Sequence, residues 1–230
     1  MSNITAILKK QVKDTMKNKT VLIQFIMFPF LTLIMNRSIT IEGMPENFFV
    51  NLFAVMYMGM APLTSIAAII AEEKEKNTLR VLMMSNVKPY EYLTGIGIYV
   101  WSACMLGAAI ICAAGNFNFR ESLTFMTIMA IGILTSLLTG AAIGTISKTQ
   151  MMATSITVPV MMLFSFLPML SKFNNTIAKA AKFIFSEQIS IMLDQISAPH
   201  PEINTISIII LNILLLTALF TFAYKKCGLA

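Results

Sequence analysis

The chain has 230 residues and a formal net charge of +6, and 57% of its residues are hydrophobic while only 12% are charged. Soluble domains average roughly 45–50% apolar and about 25% charged residues, so this composition excludes an ordinary soluble domain and indicates a membrane protein. The excess of basic residues does not require nucleic acid as a partner, because anionic lipid headgroups attract Lys and Arg near a membrane surface.

Six apolar segments approach or exceed the length that crosses a bilayer as a helix, about 20 residues. None of them contains Asp, Glu, Lys, Arg or His. We therefore predict an all-α membrane protein that forms a single transmembrane domain over residues 1–230. The predicted spans are residues 20–36, 48–71, 92–114, 123–147, 151–170 and 203–224.

The segment before the first span, residues 1–19, has the pattern of an amphipathic helix. Apolar residues recur at helical spacing, and lysines occupy much of the remaining surface. The apolar set is Ile4, Ile7, Leu8, Val12 and Met16, and the basic set is Lys9, Lys10, Lys13 and Lys17. Such a helix is expected to lie in the membrane interface, with its lysines among the lipid phosphates.

The distribution of basic residues predicts the orientation, because Lys and Arg concentrate on the cytoplasmic side of membrane proteins. With the N-terminus inside, most of the 17 Lys and Arg residues fall on the inner side. The outer side then holds only Arg37, Arg120, Lys172, Lys179 and Lys182. This predicts a multi-pass protein of the plasma (inner) membrane with both termini in the cytoplasm.

The outer segment before the last span, residues 171–202, carries two short apolar stripes at helical spacing. The first is Ile177, Ala180, Ala181 and Ile184, and the second is Ile189, Met192, Leu193 and Ile196. We expect two short amphipathic helices that dip into the outer leaflet. Whether they take part in transport or only lie at the interface is left open by the pattern.

The fourth span contains a ridge of small residues at every fourth position: Gly132, Ser136, Gly140 and Gly144. Small residues at this spacing let two helix backbones approach closely, which matters in lipid because no hydrophobic effect drives helices together there. The ridge is expected to pack against another helix. That helix belongs either to the same chain or to a second subunit.

The segment between the second and third spans, residues 72–91, is the most informative part of the sequence. A run of alternating acidic and basic residues precedes a short stretch in which Leu79, Leu82 and Met83 share one helical face, and Pro89 suits the first turn of the next helix. We predict a cytoplasmic loop with a short helix. Its apolar face would enter a groove on a partner protein.

This order of residues resembles the first cytoplasmic loop of the ABC-2 permeases, the membrane subunits of a class of ATP-driven exporters. The matching positions are Glu73, Lys74, Glu75, Lys76, Thr78, Leu79, Ser85 and Val87. The sequence departs from the family pattern at Asn77, where Gly is usual, and at Asn86, where Pro is usual. Asn also favours turns, so the loop chemistry is retained.

The resemblance implies a permease that works with two copies of an ABC ATPase subunit, which would bind ATP and Mg²⁺, and with a second permease that is identical or related. The N-terminal helix would be the elbow helix of the family, and residues 72–91 would contain the coupling helix. The residues expected to couple to the ATPase are Glu73, Glu75, Thr78, Leu79, Leu82, Met83 and Val87, with the glutamates near basic residues of the ATPase.

The resemblance also implies a cargo path between the second and fifth spans and re-entrant helices before the last span. Methionine side chains adapt to apolar or amphipathic molecules. The candidate path residues are Met56, Met58, Pro62, Met161 and Met162. The uncharged spans and short outer loops favour the export of a peptide, drug or lipid-like molecule over an ion.

Several motifs are missing from the sequence. There is no G-x-x-x-x-G-K-[ST] motif, no H-E-x-x-H motif and no CxxC pair, so we expect no catalytic residue, no metal site and no cofactor in this chain, and ATP hydrolysis in a partner. Two other classes stay open. One is a non-transporting sensor or immunity subunit that binds a peptide at the outer face. The other is a channel or secondary carrier, which the lack of ionisable groups in the spans disfavours.

Overall fold

The computed structural model describes residues 3–17, 19–38, 45–85, 87–196 and 203–227. Within these ranges the chain forms α-helices joined by short turns, and no strand occurs among them. The helices are α1 (Asn3–Lys17), α2 (Lys19–Ser38), α3 (Phe48–Glu75), α4 (Thr78–Met84), α5 (Pro89–Ala114), α6 (Phe119–Ile146), α7 (Gln150–Ser171), α8 (Asn175–Ala181), α9 (Phe185–Asp194) and α10 (Ile203–Cys227).

Six of these helices, α2, α3, α5, α6, α7 and α10, are long and apolar enough to cross a membrane. The predicted fold class, an all-α protein with six transmembrane helices, is therefore confirmed. Helices α1 and α4 lie at one end of the six-helix bundle, which we call the α4 end. Helices α8 and α9 lie at the opposite end, which we call the α9 end. The parts of the prediction that concern Asn86 and residues 197–202 lie outside the described residues.

Helix α3 does not stop where its apolar sequence stops. The predicted span ends at residue 71, whereas the helix continues through the charged run to Glu75. Glu and Lys are good helix formers, and nothing in the run breaks the backbone pattern. The charged residues up to Glu75 therefore belong to the last turn of a helix and not to a loop.

The protein is organised around α3, which packs against α2, α5, α6 and α7. In the apolar stretch of α3, 72% of the residues are buried. The corresponding shares are 28% in α2, 22% in α7 and 11% in α10. The core therefore lies along α3, α5 and α6. The other three spanning helices present most of their surface to lipid or to another protein.

Helix α6 approaches α3 through the ridge of small residues. A Cβ atom added to Gly140 would overlap the carbonyl oxygen of Leu63 and would lie 2.6 Å from Cγ2 of Ile66. One added to Gly132 would overlap the sulfur of Met58, and Gly144 lies against Ala67 and Ile70. The helix that the ridge contacts is thus α3 of the same chain, and the two backbones touch because no side chain separates them.

We predict that Gly140→Leu lowers the yield of folded protein and its thermal stability. The added side chain has no space against the Leu63 backbone, and overpacking of this kind costs about 1–3 kcal/mol or more. Gly97→Leu on α5 is the matched control, because a Cβ at Gly97 meets no atom within 4 Å. Both variants would be compared by size-exclusion chromatography and thermal unfolding in detergent. Equal profiles for the two variants would show that the α3–α6 contact does not limit folding.

Candidate functional site

The charged run at the end of α3 binds three other helices of the same chain. Glu73 is buried, and one of its carboxylate oxygens accepts hydrogen bonds from Nζ of Lys10 at 2.5 Å and from Nε2 of Gln11 at 2.6 Å. Tyr92 of α5 is buried near this carboxylate without a hydrogen bond to it. Glu73 therefore joins α3 to the N-terminal helix α1.

The next two residues of the run hold the turn between α6 and α7. Nζ of Lys74 donates a hydrogen bond to the carbonyl oxygen of Thr145 at 2.7 Å, and the backbone N–H of Gln150 donates to Oε2 of Glu75 at 2.7 Å. The signs of these charges suit their positions, since a helix C-terminus attracts a cation and a helix N-terminus attracts an anion. The end of α3 is thereby tied to the first residue of α7.

The remaining pair of the run is local. Lys76 lies 2.5 Å from Oε1 of Glu72, one helical turn earlier, and both groups are accessible to solvent. Exposed pairs of this kind contribute little to stability, because water and salt screen the two charges. The structural function of the run therefore depends mainly on Glu73, Lys74 and Glu75.

Helix α4 turns sharply away from α3. Asn77, between the two helices, has a φ of 55°, in the left-handed region that Gly adopts freely and Asn tolerates. This backbone conformation explains why Gly is usual at this position of the loop pattern and why Asn77 can replace it. Oγ1 of Thr78, the first residue of α4, donates to the carbonyl oxygen of Glu73 at 3.1 Å and fixes the direction of the short helix.

The predicted apolar docking face of α4 points inward. Leu79 is only 1% exposed, and Leu82, Met83 and Val87 are half-buried against the core of the same chain. The face that α4 presents outward is instead Arg80, Val81 and Met84, with Val81 61% exposed and Met84 81% exposed. The sequence pattern correctly places one apolar face on the helix, but the chain itself covers that face.

The surface beside α4 adds basic and aromatic groups. Helix α5 begins at Pro89, and the backbone N–H of Lys88 donates to Oε2 of Glu91 at 2.9 Å. Nζ of Lys88 lies 5.8 Å from the centre of the Tyr90 ring, and both side chains are exposed. We call Arg80, Val81, Met84, Lys88 and Tyr90 the outward surface of the loop.

One face of helix α1 packs against the rest of the protein, and the other face is exposed. Ile7 and Gln11 are buried, and Ile7 contacts α5 at Gly95. Val12 and Met16, which the sequence pattern placed on the same face as Ile7, are exposed, together with Lys9 and Lys13. The side chain of Lys17 lies outside the described residues. The exposed face therefore combines apolar and basic side chains, as a helix at a membrane surface requires.

A cavity of about 210 Å³ lies between α2, α3 and α7. Uncharged polar side chains line it beside Met60 and Met161, and Oγ1 of Thr64 donates to Oε1 of Gln24 at 3.1 Å across it. The polar lining residues are Gln24, Thr64, Gln150, Thr154 and Thr157. These residues were missed by the sequence reasoning, although a search for polar residues within the apolar spans would have found them.

The five predicted cargo residues do not lie together. Met161 lines the cavity, but Met58 and Pro62 are buried in the core, and Met56 is half-buried against it. Met162 is 52% exposed on the outer surface of α7. A path between the second and fifth spans stays a prediction, and the residues that would form it are the polar set and Met161 rather than the methionine pairs.

The α9 end contains a second polar cluster, which the sequence pattern did not indicate. Nζ of Lys172 lies 2.7 Å from Oδ2 of Asp194, and Nδ2 of Asn51 donates to the carbonyl oxygen of Leu193 at 3.1 Å. Glu187, near the start of α9, is buried and interacts with Ser171 at the end of α7. Burial raises the pKa of Glu187, while the hydrogen bond to Ser171 and the charge of Lys172 oppose that effect and Asp194 adds to it.

These features define a class of protein: an all-helical, six-span membrane protein in which a short helix, α4, follows a charged run that ties the end of α3 to α1, α6 and α7. Among the described residues, no cluster of His, Cys, Asp and Glu could hold a metal ion. The chain belongs to the ABC-2 transporter family, since the family model described as "ABC-2 family transporter protein" matches residues 2–224. Permeases of this family normally work with an ABC ATPase. The comparison with curated proteins yields no match.

We predict that Lys10→Met weakens the attachment of α1. The substitution keeps the apolar stem but leaves the buried Glu73 carboxylate with Gln11 as its donor from α1, and loss of a hydrogen bond to a charged group costs about 1.5–3 kcal/mol. Lys9→Met is the matched control, because Lys9 is exposed. Limited proteolysis of α1 and thermal unfolding would be measured for both variants. The assignment would be wrong if the two variants were equally resistant.

Proposed function

We propose that this chain is the permease subunit of an ABC exporter that moves amphipathic or apolar cargo, such as a peptide, drug or lipid-like molecule, out of the cytoplasm. Separate ATPase subunits, with ATP and Mg²⁺, would drive the transport by alternating access. The observation that carries the proposal is the polar-lined cavity between α2, α3 and α7. The first residue of α7 is bound by the charged run beside α4.

Small and hydroxyl-bearing residues in an apolar span favour contact with another helix, because they let the backbones approach closely and can hydrogen-bond across the contact. Thr154 and Ser155 are exposed on α7, where their hydroxyls donate to backbone carbonyls one turn earlier, and Gln24 faces the same region from α2. A second permease against this face would cover these groups and enclose the cavity between two subunits. The mixed polar and methionine lining suits a cargo that has both apolar and hydrogen-bonding parts.

The ATPase would bind the outward surface of the loop. That surface offers Val81, Met84 and Tyr90 for an apolar contact and Arg80 and Lys88 as its charges. The acidic residues Glu73 and Glu75 are already bound within the chain. The groove on the ATPase is therefore expected to be apolar with an acidic rim, whereas the sequence alone suggested basic residues there.

The contacts of the charged run supply a route for movement. A push on α4 would act on the end of α3 through Thr78. From there it would reach α1 through Glu73, α6 through Lys74 and α7 through Glu75. Because α3 and α6 are in backbone contact, they would move as one body. Helix α7 also meets α3 at backbone distance, at Gly59, but most of its surface is exposed. A shift of its first residue would tilt α7 about this contact and open or close the cavity.

The orientation in the proposal places the α4 end in the cytoplasm of the cell, where an ATPase has access to it. The support is the concentration of basic residues at this end, including Lys9 and Lys13 on α1 and Lys225 and Lys226 near the end of α10. Both termini would then be cytoplasmic and the protein would lie in the plasma membrane.

We predict that Met84→Asp weakens binding of the partner ABC ATPase by at least tenfold, about 1.4 kcal/mol, without loss of membrane insertion. The side chain is exposed, so the fold tolerates the charge, but a carboxylate would be buried against an apolar and acidic groove. Thr176→Asp at the α9 end is the control for the added charge. Co-purification with the ATPase and ATP hydrolysis by the complex would be measured.

Leu79→Asp is a useful contrast in the same experiment. Because Leu79 is buried in the core of the chain, this variant should lose folded protein rather than ATPase binding alone. If Met84→Asp bound the ATPase and supported its activity normally, α4 would not be the coupling element. Failure of the unaltered chain to bind any ATPase would instead favour a non-transporting membrane sensor.

We further predict that two copies of the chain cross-link through α7 if the second permease is identical. A two-fold axis brings together the two copies of a residue that lies near it. With Ser155 placed at the axis, Ser155→Cys should form a disulfide between the subunits in a chain without its native cysteines. Ile210→Cys, exposed on α10, is the control and should stay monomeric. Cross-linking at Ile210 and not at Ser155 would place the subunit interface on α10.

A further inference from the structure

The hydroxyl group of Ser171, at the end of α7, is surrounded by more acceptors than it has protons. Its Oγ atom lies 2.8 Å from the carbonyl oxygen of Pro168 and 2.8 Å from each carboxylate oxygen of Glu187. A serine hydroxyl has one proton to donate. If Glu187 is ionised, that proton serves either the carboxylate or the carbonyl group and leaves the other without a donor from Ser171.

A proton on Glu187 removes this conflict. The carboxylic acid then donates to Oγ of Ser171, and the hydroxyl group of Ser171 donates to the carbonyl oxygen of Pro168. Two of the three close oxygen pairs then hold a hydrogen bond, and both the carboxyl group and the Pro168 carbonyl group have a hydrogen-bond partner. Glu187 is only 8% exposed, so water cannot readily take the place of the missing donor when the carboxylate is charged.

The charges around Glu187 stabilise its ionised form only in part, because the favourable charge of Lys172 is opposed by that of Asp194. Lys172 is the nearby cation, but it already pairs with Asp194 at 2.7 Å. Asp194 lies on the same helix and disfavours a second negative charge. Among the described residues, α3, α6 and α10, which also pack against α9, contribute no charge that acts on Glu187.

We propose that Glu187 is a proton-binding site that fastens α9 to the end of α7. In the protonated state the chain of hydrogen bonds from Glu187 through Ser171 to Pro168 holds the two helices together. When the proton leaves to bulk water, the buried carboxylate loses its favourable arrangement and the contact between α7 and α9 loosens. Any consequence for transport rests on the proposed function, because it would act through α7, which lines the cavity. The proton site itself does not depend on the proposed function.

The direction of the pH effect follows from the raised pKa of Glu187. In the folded protein Glu187 holds its proton at pH values where an unfolded chain has lost it. Its contribution to the contact is therefore fully present below the ordinary glutamate pKa and is lost as the pH rises through the folded pKa. The contact should be tightest in acid and loosest in alkaline solution.

The first experiment measures the proton directly, on the full-length chain in vesicles of phosphatidylcholine and phosphatidylglycerol. Infrared difference spectra over a pH series should show a carboxylic acid C=O band that persists above the ordinary glutamate range and that is absent in Glu187→Gln. Glu46→Gln, at an exposed glutamate outside the spans, should retain the band. A wild-type spectrum without such a band, or one that Glu187→Gln leaves unchanged, would overturn the proposal.

The second experiment measures the contact. Spin labels on the exposed residues Leu170 and Gln195, in a chain without native cysteines, report the distance between α7 and the end of α9. We expect a narrow distribution at low pH and a broad one at high pH in the wild type, and a narrow one at every pH in Glu187→Gln, whose amide donates to Ser171 permanently. The same pH response in both chains would refute the proposed proton-dependent contact between α7 and α9.

Neither experiment uses an ATPase or a cargo. A negative result would therefore remove the proton site and leave the proposed permease function unaffected. Equally, a chain that bound no ATPase could still show the band and the distance change. Ser171→Ala adds a check on the route: it should broaden the distance distribution even at low pH, because it removes the group between Glu187 and Pro168, and an unchanged narrow distribution would count against the relay.

Discussion

The arrangement of this protein depends on the way that charges at the end of α3 are satisfied. A buried charge needs a partner that replaces water, and here the partners of this run are supplied by other helices of the same chain. Glu73 binds α1, Lys74 binds the end of α6 and Glu75 binds the start of α7. One run of residues thereby determines where the N-terminal helix lies and how α4 projects.

The bundle divides into a rigid part and a more accessible part. Helices α3 and α6 touch through Gly140 at backbone distance, and in such a contact neither helix can slide without a clash. Helix α7 also meets α3 at backbone distance, at Gly59, but little of its surface is buried and it contains Pro159 and Pro168. Proline removes a backbone hydrogen bond and lets a helix bend. The cavity lies where the rigid and the accessible parts meet, which is the location expected of a path that changes its access.

The two ends of α7 are held in different ways. At the α4 end, its first backbone N–H group is bound by Glu75, a charge at an exposed position. At the α9 end, Ser171 contacts the buried Glu187. If α4 binds the ATPase as proposed, the first contact responds to the position of α4 and therefore to a partner protein. If Glu187 is the proposed proton site, the second contact responds to protonation. The same helix would then be connected to two independent influences, one on each side of the bundle.

Much of the architecture was available from the sequence by itself. Runs of apolar residues without charge determine six spans because each must satisfy its backbone within a helix in lipid, and the loop pattern from Glu73 to Val87 led to the family that the full-length match shows. The spacing of Gly132, Gly140 and Gly144 likewise indicated close packing. These are local properties, set by composition and periodicity, and they need no knowledge of neighbours in space.

The tertiary structure decided which partner each side chain has. The sequence could not tell that Leu79 is covered by the chain's own core and Met84 is not, because both lie in one amphipathic stretch. It could not show that Glu73 binds Lys10, more than sixty residues away, or that Gln24 meets Thr64 beside the cavity. Glu187 was hidden for the same reason. Burial and charge pairing depend on helices that are distant in the sequence, and only their packing brings those groups together.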